Sequence, residues 1–341
     1  MIGYADAIVD LQAGDTGKGK VAHAIAKDYD LVIRYNGGSN AGHTVYHDGQ
    51  KIVTHQVPIG VLFGIPSVIG RGCVVNIAEL VKEIRMLRSM KIATDGLIYV
   101  DKYAHVVTQQ HLAEDGKDSK IGTTRQGIGP AYRDKYARVG TRVVDIHPED
   151  FVDFRVCDMY DILHTQLLFN TPKKILCEGA QGFQIDIDWG DYPYVTSSHC
   201  TIGSVLLNGI PPQKLRKVIG IMKAYETYSG FKTTFQDEND ADLQKIQEVG
   251  GEFGATTGRK RKVRWLDLDG VIKAININGV TELIINKLDV MDKVGVFKMV
   301  RNGKLVEFDT MDKFKAEVET TINLYTSSVQ RIIWSTTPNG I

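Results

Sequence analysis

The chain has 341 residues, 43% of them hydrophobic, and its 41 basic side chains balance 41 acidic ones. That size and apolar fraction suit one large α/β domain spanning residues 1–341, with ample core. A formal charge of zero argues against a general nucleic-acid or membrane-surface role. Cys73, Cys157, Cys177 and Cys200 show neither metal-ligand spacing nor a paired framework, so they predict reduced cysteines in a cytoplasmic protein. Met1-Ile2-Gly3-Tyr4-Ala5-Asp6 has no basic n-region, and no apolar run reaches transmembrane length.

Strand-like runs alternate with helical patterns. The mostly apolar run Ala5 to Leu11 leads into a glycine-rich loop, and Val21 to Lys27 reads as the helix that the loop opens. Leu31 to Tyr35 is a second strand, followed by the short strands Ser67 to Gly70 and Cys73 to Val75. Ile77 to Met90 has the apolar rhythm of a helix. Leu97 to Val100, Lys174 to Cys177, Val218 to Met222 and Glu282 to Ile285 are apolar runs bounded by turns. Such runs suit strands buried on both faces of a large, mainly parallel central sheet with flanking helices. In that architecture ligands bind beyond the carboxyl ends of the strands, where nearly every unusual motif of this chain falls. Asp237-Glu238-Asn239-Asp240 reads as an exposed loop.

The loop Gly14-Asp15-Thr16-Gly17-Lys18-Gly19-Lys20 predicts a phosphate cradle. Its glycines let backbone N–H groups face an anion, and its lysines add charge. The spacing fits G-x-x-x-x-G-K, but Val21 stands where a magnesium-binding Ser or Thr belongs. If a metal sits here, Asp15 is the obvious ligand. The plain alternative is a glycine-rich turn with solvated lysines. Asn40-Ala41-Gly42-His43-Thr44 follows the second strand, and His43 could equally cap that strand's end. Gly122 to Pro130 is a long glycine-rich loop before the basic stretch Arg133 to Arg142, in which Arg138 alone would read as a surface ion pair. Glu178-Gly179-Ala180-Gln181-Gly182 follows a strand, and Tyr192 to Ser198 lies beyond it. Thr256-Thr257-Gly258-Arg259-Lys260-Arg261 could be a nucleic-acid patch, but no aromatic ladder accompanies it. Asn286-Lys287-Leu288-Asp289 resembles a base-reading N/T-K-x-D, or a polar turn at a strand end. Asp289 could accept from N1–H and N2–H₂ of guanine, or from the N6 amine of adenine.

Together, and in this order, these motifs resemble those of adenylosuccinate synthetase over nearly the whole chain. The resemblance implies a large parallel-rich α/β sheet, a homodimer, and a magnesium-dependent ligase with no nucleic-acid or membrane partner. In that reaction a nucleoside triphosphate phosphorylates O6 of a purine nucleotide, and the amine of aspartate displaces the phosphate at C6. Asp15 matches the base that takes the N1 proton, and Asp15 with the Gly42 carbonyl matches the metal ligands. Lys18, His43 and Gln181 match the other catalytic positions. The donor triphosphate would lie against Asp15 through Lys20 (with Thr16, Gly17 and Gly19), then Gly42 to Thr44, Lys287, Asp289, and Thr336, Thr337 and Pro338. The acceptor nucleotide would meet Asp15, Asn40, Thr124, Gln181, Thr196 and Arg259, with Arg138 reaching in from the neighbouring subunit. Ala255, Thr256, Thr257, Gly258, Arg259 and Arg261 match the loop that closes on aspartate.

Several positions depart from the family's pattern. The common loop is GDEGKGK, and Thr16 replaces its glutamate. The common G-T-T-G-R-G is Gly122-Thr123-Thr124-Arg125-Gln126-Gly127, and the common T-R-V-G is Thr227-Tyr228-Ser229-Gly230. The changes cluster around the acceptor and aspartate sites. A branch found in DNA viruses carries such changes and acts on dGMP, making N6-succino-2-amino-2′-deoxyadenylate with ATP as donor. The expectation is therefore dGMP with ATP, with Thr16 making room near the base or removing a misplaced carboxylate. The alternative is IMP with GTP. A reading from another class is a GTP-dependent switch, built on the phosphate loop and Asn286-Lys287-Leu288-Asp289.

Overall fold

The computed structural model describes residues 1–146, 151–165, 171–232, 235, 240–254 and 258–337. Nine strands make the central sheet: β1 (Ile2–Asp10), β2 (Leu31–Arg34), β3 (Ser67–Ile69), β4 (Ile98–Asp101), β5 (Arg155–Cys157), β6 (Lys173–Glu178), β7 (Leu215–Lys223), β8 (Glu282–Asn286) and β9 (Arg331–Trp334). Their spatial order is β9-β8-β7-β1-β6-β2-β3-β4-β5. Every neighbouring pair is parallel. Parallel pairing needs crossovers on both faces, so the central strands are buried on both sides and read as near-continuous apolar runs. Ile8, Val32, Leu176 and Ile221 pack into one core layer, whereas Ala7, Ile33, Ile175 and Cys177 pack into another. A third layer joins Val9, Met222 and Ile285 to the helix Leu268–Asn278.

The predicted strands all form, with ends shifted by a few residues. β1 starts earlier than Ala5, and β7 starts at Leu215. Cys73 to Val75 differs: Val74–Val75 pairs with His105–Val106 outside the central sheet. The helix after the phosphate loop, α1, spans Lys18–Ile25 and begins inside the loop itself. Helix α2 (Ile77–Ser89) is capped by the Asn76 side chain, which accepts from the Glu79 amide. Helix α3 (Ile128–Ala137) follows the second glycine-rich loop, α4 (Leu268–Asn278) covers the third core layer, and α5 (Leu288–Val294) opens directly after β8. Of the acidic patch, Asp240 is described: it caps the helix Ala241–Val249 and accepts from the Trp265 indole. No helix among the described residues is long and apolar enough to cross a membrane.

Candidate functional site

The carboxyl ends of β1, β2, β6, β7 and β8 open into one cavity of about 1240 Å³. This exceeds the roughly 300–1,000 Å³ of a single drug-sized pocket, so there is room for more than one ligand. Its floor is the phosphate loop. Gly14, Asp15 and Gly17 all have positive φ (90°, 58° and 102°), which bends the chain into a crown and starts α1 at Lys18. Gly19 must be glycine, because a Cβ there would lie 2.8 Å from the His43 Cβ. That contact locks the first turn of α1 against His43. Gly182 is equally constrained, with a Cβ there 2.5 Å from the Gly14 amide nitrogen. The Gln181 segment thus sits directly on the phosphate loop, and Gln181 Nε2 is buried with no hydrogen-bond partner among the described residues.

His43 lines this cavity. Its Nδ1 lies 2.5 Å from Glu178 Oε1, and Arg34 Nη2 donates to the same carboxylate oxygen at 2.7 Å. The Ile59 amide donates to the other carboxylate oxygen at 2.9 Å. Burial pushes the Glu178 carboxyl up, but the Arg34 and His43 charges and the bonds from His43 and Ile59 outweigh it and bring it to about 2. Burial and the Arg34 charge push the His43 imidazole down to about 4. His43 is therefore neutral at pH 7, with Nδ1–H on Glu178 and a buried Nε2 that has no partner among the described residues.

Asp15 is one third exposed and pairs through Oδ2 with Arg261 Nε at 2.9 Å. Arg261 Nη1 donates to Glu252 at 2.7 Å. Glu252 is fully buried and also accepts from Lys223 Nζ at 2.8 Å and from the Tyr225 hydroxyl at 2.6 Å. Lys287 Nζ is 3.8 Å away. Burial would raise the Glu252 carboxyl, but the charges of Lys223, Arg261 and Lys287 hold it at about 2.

Most of the expected residues converge. Asp15, Thr16, Gly17, Lys18, Gly19, Lys20, Asn40, Gly42, His43, Thr44, Thr124, Gln181, Thr196, Arg259, Arg261, Lys287, Asp289 and Thr337 all line the cavity. Within this set and beside it, individual side chains differ in what they touch. The Thr16 hydroxyl donates to buried Asp10 at 2.5 Å, so its side chain is committed to the loop's interior and does not open space for an acceptor base. Lys20 Nζ donates to Ser335 Oγ at 2.8 Å and to the Thr337 carbonyl at 3.0 Å, tying α1 to the C-terminal segment. Burial lowers its pKa to about 8 despite nearby Asp289. Arg138 is exposed at the end of α3 and lies outside this chain's cavity. Thr336 is exposed and does not line it either. Gly258 turns with φ 65° outside the lining. Ala255, Thr256, Thr257 and Pro338 lie outside the described residues.

The family profile for adenylosuccinate synthetase matches residues 7–156 and 148–330. The chain belongs to the adenylosuccinate synthetase family. It is 40% identical over 338 residues to the adenylosuccinate synthetase of Pelodictyon phaeoclathratiforme, covering 84% of this chain and 77% of that one. It is 38% identical over 369 residues to that of Chlorobium chlorochromatii, covering 92% and 84%. The fully ligated adenylosuccinate synthetase from Plasmodium falciparum superposes with a TM-score of 0.84 at 27% identity, covering 99% of this chain and 98% of that one. The succinoaminodeoxyadenylate synthetase of cyanophage S-2L, bound to dGMP and dATP, shares the fold with a TM-score of 0.77 at 23% identity, covering 99% and 94%. The protein is thus a C–N ligase that joins aspartate to a purine nucleotide.

Adenylosuccinate synthetases use magnesium, and the donor set here fits it. Asp15 and Gly42 border the same cavity, and the Arg261 contact occupies Oδ2 and leaves Oδ1 of Asp15. One carboxylate and one carbonyl beside a phosphate loop suit an ion that takes its remaining ligands from water and phosphate. Asp186, Asp188 and His199 also gather, with ligand atoms within 4.8 Å of one another. The Asp186 carboxylate there is consumed by the amides of Asp188, Trp189 and Cys200, which makes it a turn clamp off the cavity.

Five residues matter that the motif reading did not place in the site: Asp10, Arg34, Glu178, Lys223 and Glu252. The first four share one sequence signature, a charged residue closing a strand directly after an apolar run. A charge in a doubly buried strand needs a buried partner, so each pointed to the site. Glu252 carries no such signature.

Proposed function

We propose that this ligase acts on dGMP, forming N6-succino-2-amino-2′-deoxyadenylate with a nucleoside triphosphate as phosphoryl donor and L-aspartate as amine. In this reading Asp15 accepts the N1 proton, which places negative charge on O6. O6 attacks the γ-phosphorus and the nucleoside diphosphate leaves. The aspartate amine then attacks C6, and inorganic phosphate leaves. Lys18 and the amides of the Gly14 to Lys20 crown stabilise the transferring phosphoryl group, which is most of the catalysis in such transfers. Glu178 fixes the His43 ring through Nδ1, as in other carboxylate–histidine pairs, and so holds the imidazole beside the transferring phosphoryl group. Magnesium, when bound at Asp15 and Gly42, neutralises charge on the phosphates. Gln181 Nε2, which has no hydrogen-bond partner among the described residues, would read the purine edge, and Arg261 would offer its guanidinium to the carboxylates of aspartate.

The observation that carries the dGMP reading is Tyr228. It lines the cavity where the common family sequence has an arginine beside the ribose. Arg125, the arginine of the neighbouring glycine-rich loop, is exposed and does not line the cavity. A guanidinium donor near the sugar is thereby replaced by an aromatic ring, which suits a deoxyribose without a 2′-hydroxyl. IMP with GTP is the second reading, favoured by retained Asp15 and by the names of the relatives reported above. Incubation with aspartate, magnesium and either ATP or GTP, offering dGMP or IMP separately, tests both. Turnover of dGMP with little on IMP is expected, and turnover confined to IMP refutes the dGMP reading. The donor follows from the same four reactions. Phosphate release that ignores aspartate would instead indicate a GTP-dependent switch.

A further inference from the structure

Asp10 closes β1 at the floor of the cavity and is 2% exposed. Its Oδ2 accepts from Lys18 Nζ at 2.7 Å and from Thr16 Oγ1 at 2.5 Å. Its Oδ1 accepts from the Gln12 amide at 2.9 Å. Gln12 is itself fixed, since its Oε1 accepts from the Lys223 amide and its Nε2 donates to the carbonyls of Lys223 and Tyr225. One carboxylate thus gathers both ends of the phosphate loop and anchors them to the end of β7.

We propose that Asp10 is the positioning residue of the phosphate loop. It holds the Lys18 ammonium in place, and it supplies from the strand the negative charge that the common family loop carries at position 16. The inference rests on the ligase reading only in giving Lys18 a phosphate to serve. Residue 16 aims its side chain at Asp10, and the short, neutral, donating hydroxyl of threonine ends 2.5 Å from the carboxylate. A glutamate growing from the same Cα would carry its carboxyl group into the volume that the Asp10 carboxylate occupies. Two carboxylates so close do not both stay ionised. Positions 10 and 16 therefore share one negative charge, and in this chain it sits at 10. Lys18 carries three donors and needs one for Asp10, so it can meet a phosphate oxygen without leaving its anchor.

Three variants test this: Asp10→Asn, Thr16→Glu, and the two combined. Asp10→Asn removes the charge at constant size: its amide oxygen still accepts from the Gln12 amide, and its NH₂ can donate to the Thr16 hydroxyl. Its kcat should fall by about 10²-fold, the usual scale for a misplaced reacting group, with little change in the Kd of a non-hydrolysable magnesium–triphosphate analogue. Thr16→Glu should lower kcat and also weaken analogue binding by about tenfold, roughly one charge-assisted hydrogen bond. The double variant, with its single carboxylate restored, should recover most of both losses. A double variant no better than the worse single one overturns the proposal, and so does an Asp10→Asn enzyme with unchanged kcat. Thermal unfolding of all three separates the cases, because a purely structural Asp10 would lower Tm without any recovery in the double variant. If the parent protein turns over neither purine nucleotide, the ligase reading fails on its own. Recovery of analogue binding in the double variant over Thr16→Glu then still decides the role of Asp10.

Discussion

Glu252→Gln is the perturbation whose size can be worked most directly from the structure. The carboxylate is fully buried and takes four charge-assisted or hydroxyl bonds: two from Lys223 Nζ at 2.8 and 2.9 Å, one from Arg261 at 2.7 Å and one from Tyr225 at 2.6 Å. Removing one partner of a buried pair costs about 3–5 kcal/mol. Glutamine keeps an acceptor oxygen and its volume, which places the loss near the lower end, about 3 kcal/mol. Linkage gives a matching figure. The Glu252 pKa falls from its ordinary 4.5 to about 2 because Lys223, Arg261 and Lys287 outweigh its burial. A drop of that size corresponds to about 3 kcal/mol of stability above pH 4.5. Unfolding entropy of about 2.1 cal/mol/K per residue over the chain converts this to a Tm lowered by about 4 °C. The sign with pH is fixed. A depressed carboxyl pKa contributes its stability fully above about 4.5 and loses it as pH falls through about 2. Urea titrations of parent and variant at pH 7 and at several acid values should therefore show a gap that narrows on acidification. KM for aspartate should rise in parallel, because Arg261 loses its inner anchor. A gap that stays constant from pH 7 to pH 3, or equal midpoints at pH 7, would refute the reasoning.

Other substitutions test individual groups. Asp15→Asn should lower kcat by about 10²–10⁴-fold, the range for a general base, with thermal unfolding close to the parent's; a near-normal rate removes Asp15 from that role. Glu178→Gln leaves Arg34 without its carboxylate and His43 without an anion at Nδ1, so kcat should fall by about 10²-fold or more in steady-state assays. Arg138→Ala should raise KM for the acceptor by about tenfold or more, the worth of one charge-assisted hydrogen bond. Mixing Arg138→Ala with Asp15→Asn subunits should restore part of the activity if the arginine serves the neighbouring site, and no recovery would confine it to its own chain. Tyr228→Arg should shift the ratio of kcat/KM toward IMP.

The sheet was legible because doubly buried parallel strands leave long apolar runs, and the cavity was legible because motifs follow those runs. Gly14 to Lys20, His43 and Gln181 sit where the strand-end rule puts them. What sequence could not supply was direction. The Thr16 side chain points down to Asp10 and Lys20 turns to the C-terminal segment, and neither fact follows from spacing. Glu252 was invisible for another reason. It lies in an irregular stretch after the helix Ala241–Val249, and its partners are 29 residues upstream at Lys223 and 9 downstream at Arg261. No local pattern marks a residue whose meaning comes from contacts that distant in the chain.

These pairings share a design. Three cations at the site are each held by a carboxylate: Lys18 by Asp10, Arg34 by Glu178, and Arg261 by both Asp15 and Glu252. In three of these four contacts the carboxylate belongs to a residue with almost no exposure, so the cation is already stripped of water and fixed in position. A phosphate or dicarboxylate arriving there meets oriented charges that need no further desolvation or rearrangement, which is the physical content of electrostatic preorganisation. The fourth contact is different. Asp15 is one third exposed and lines the cavity, and it is the anion proposed to do chemistry. Buried carboxylates hold the cations, whereas the exposed one is left where a purine can reach it. That division predicts that neutralising Asp10, Glu178 or Glu252 alters how reacting groups are oriented. Neutralising Asp15 should instead remove a proton acceptor and a magnesium ligand while leaving those buried pairs intact.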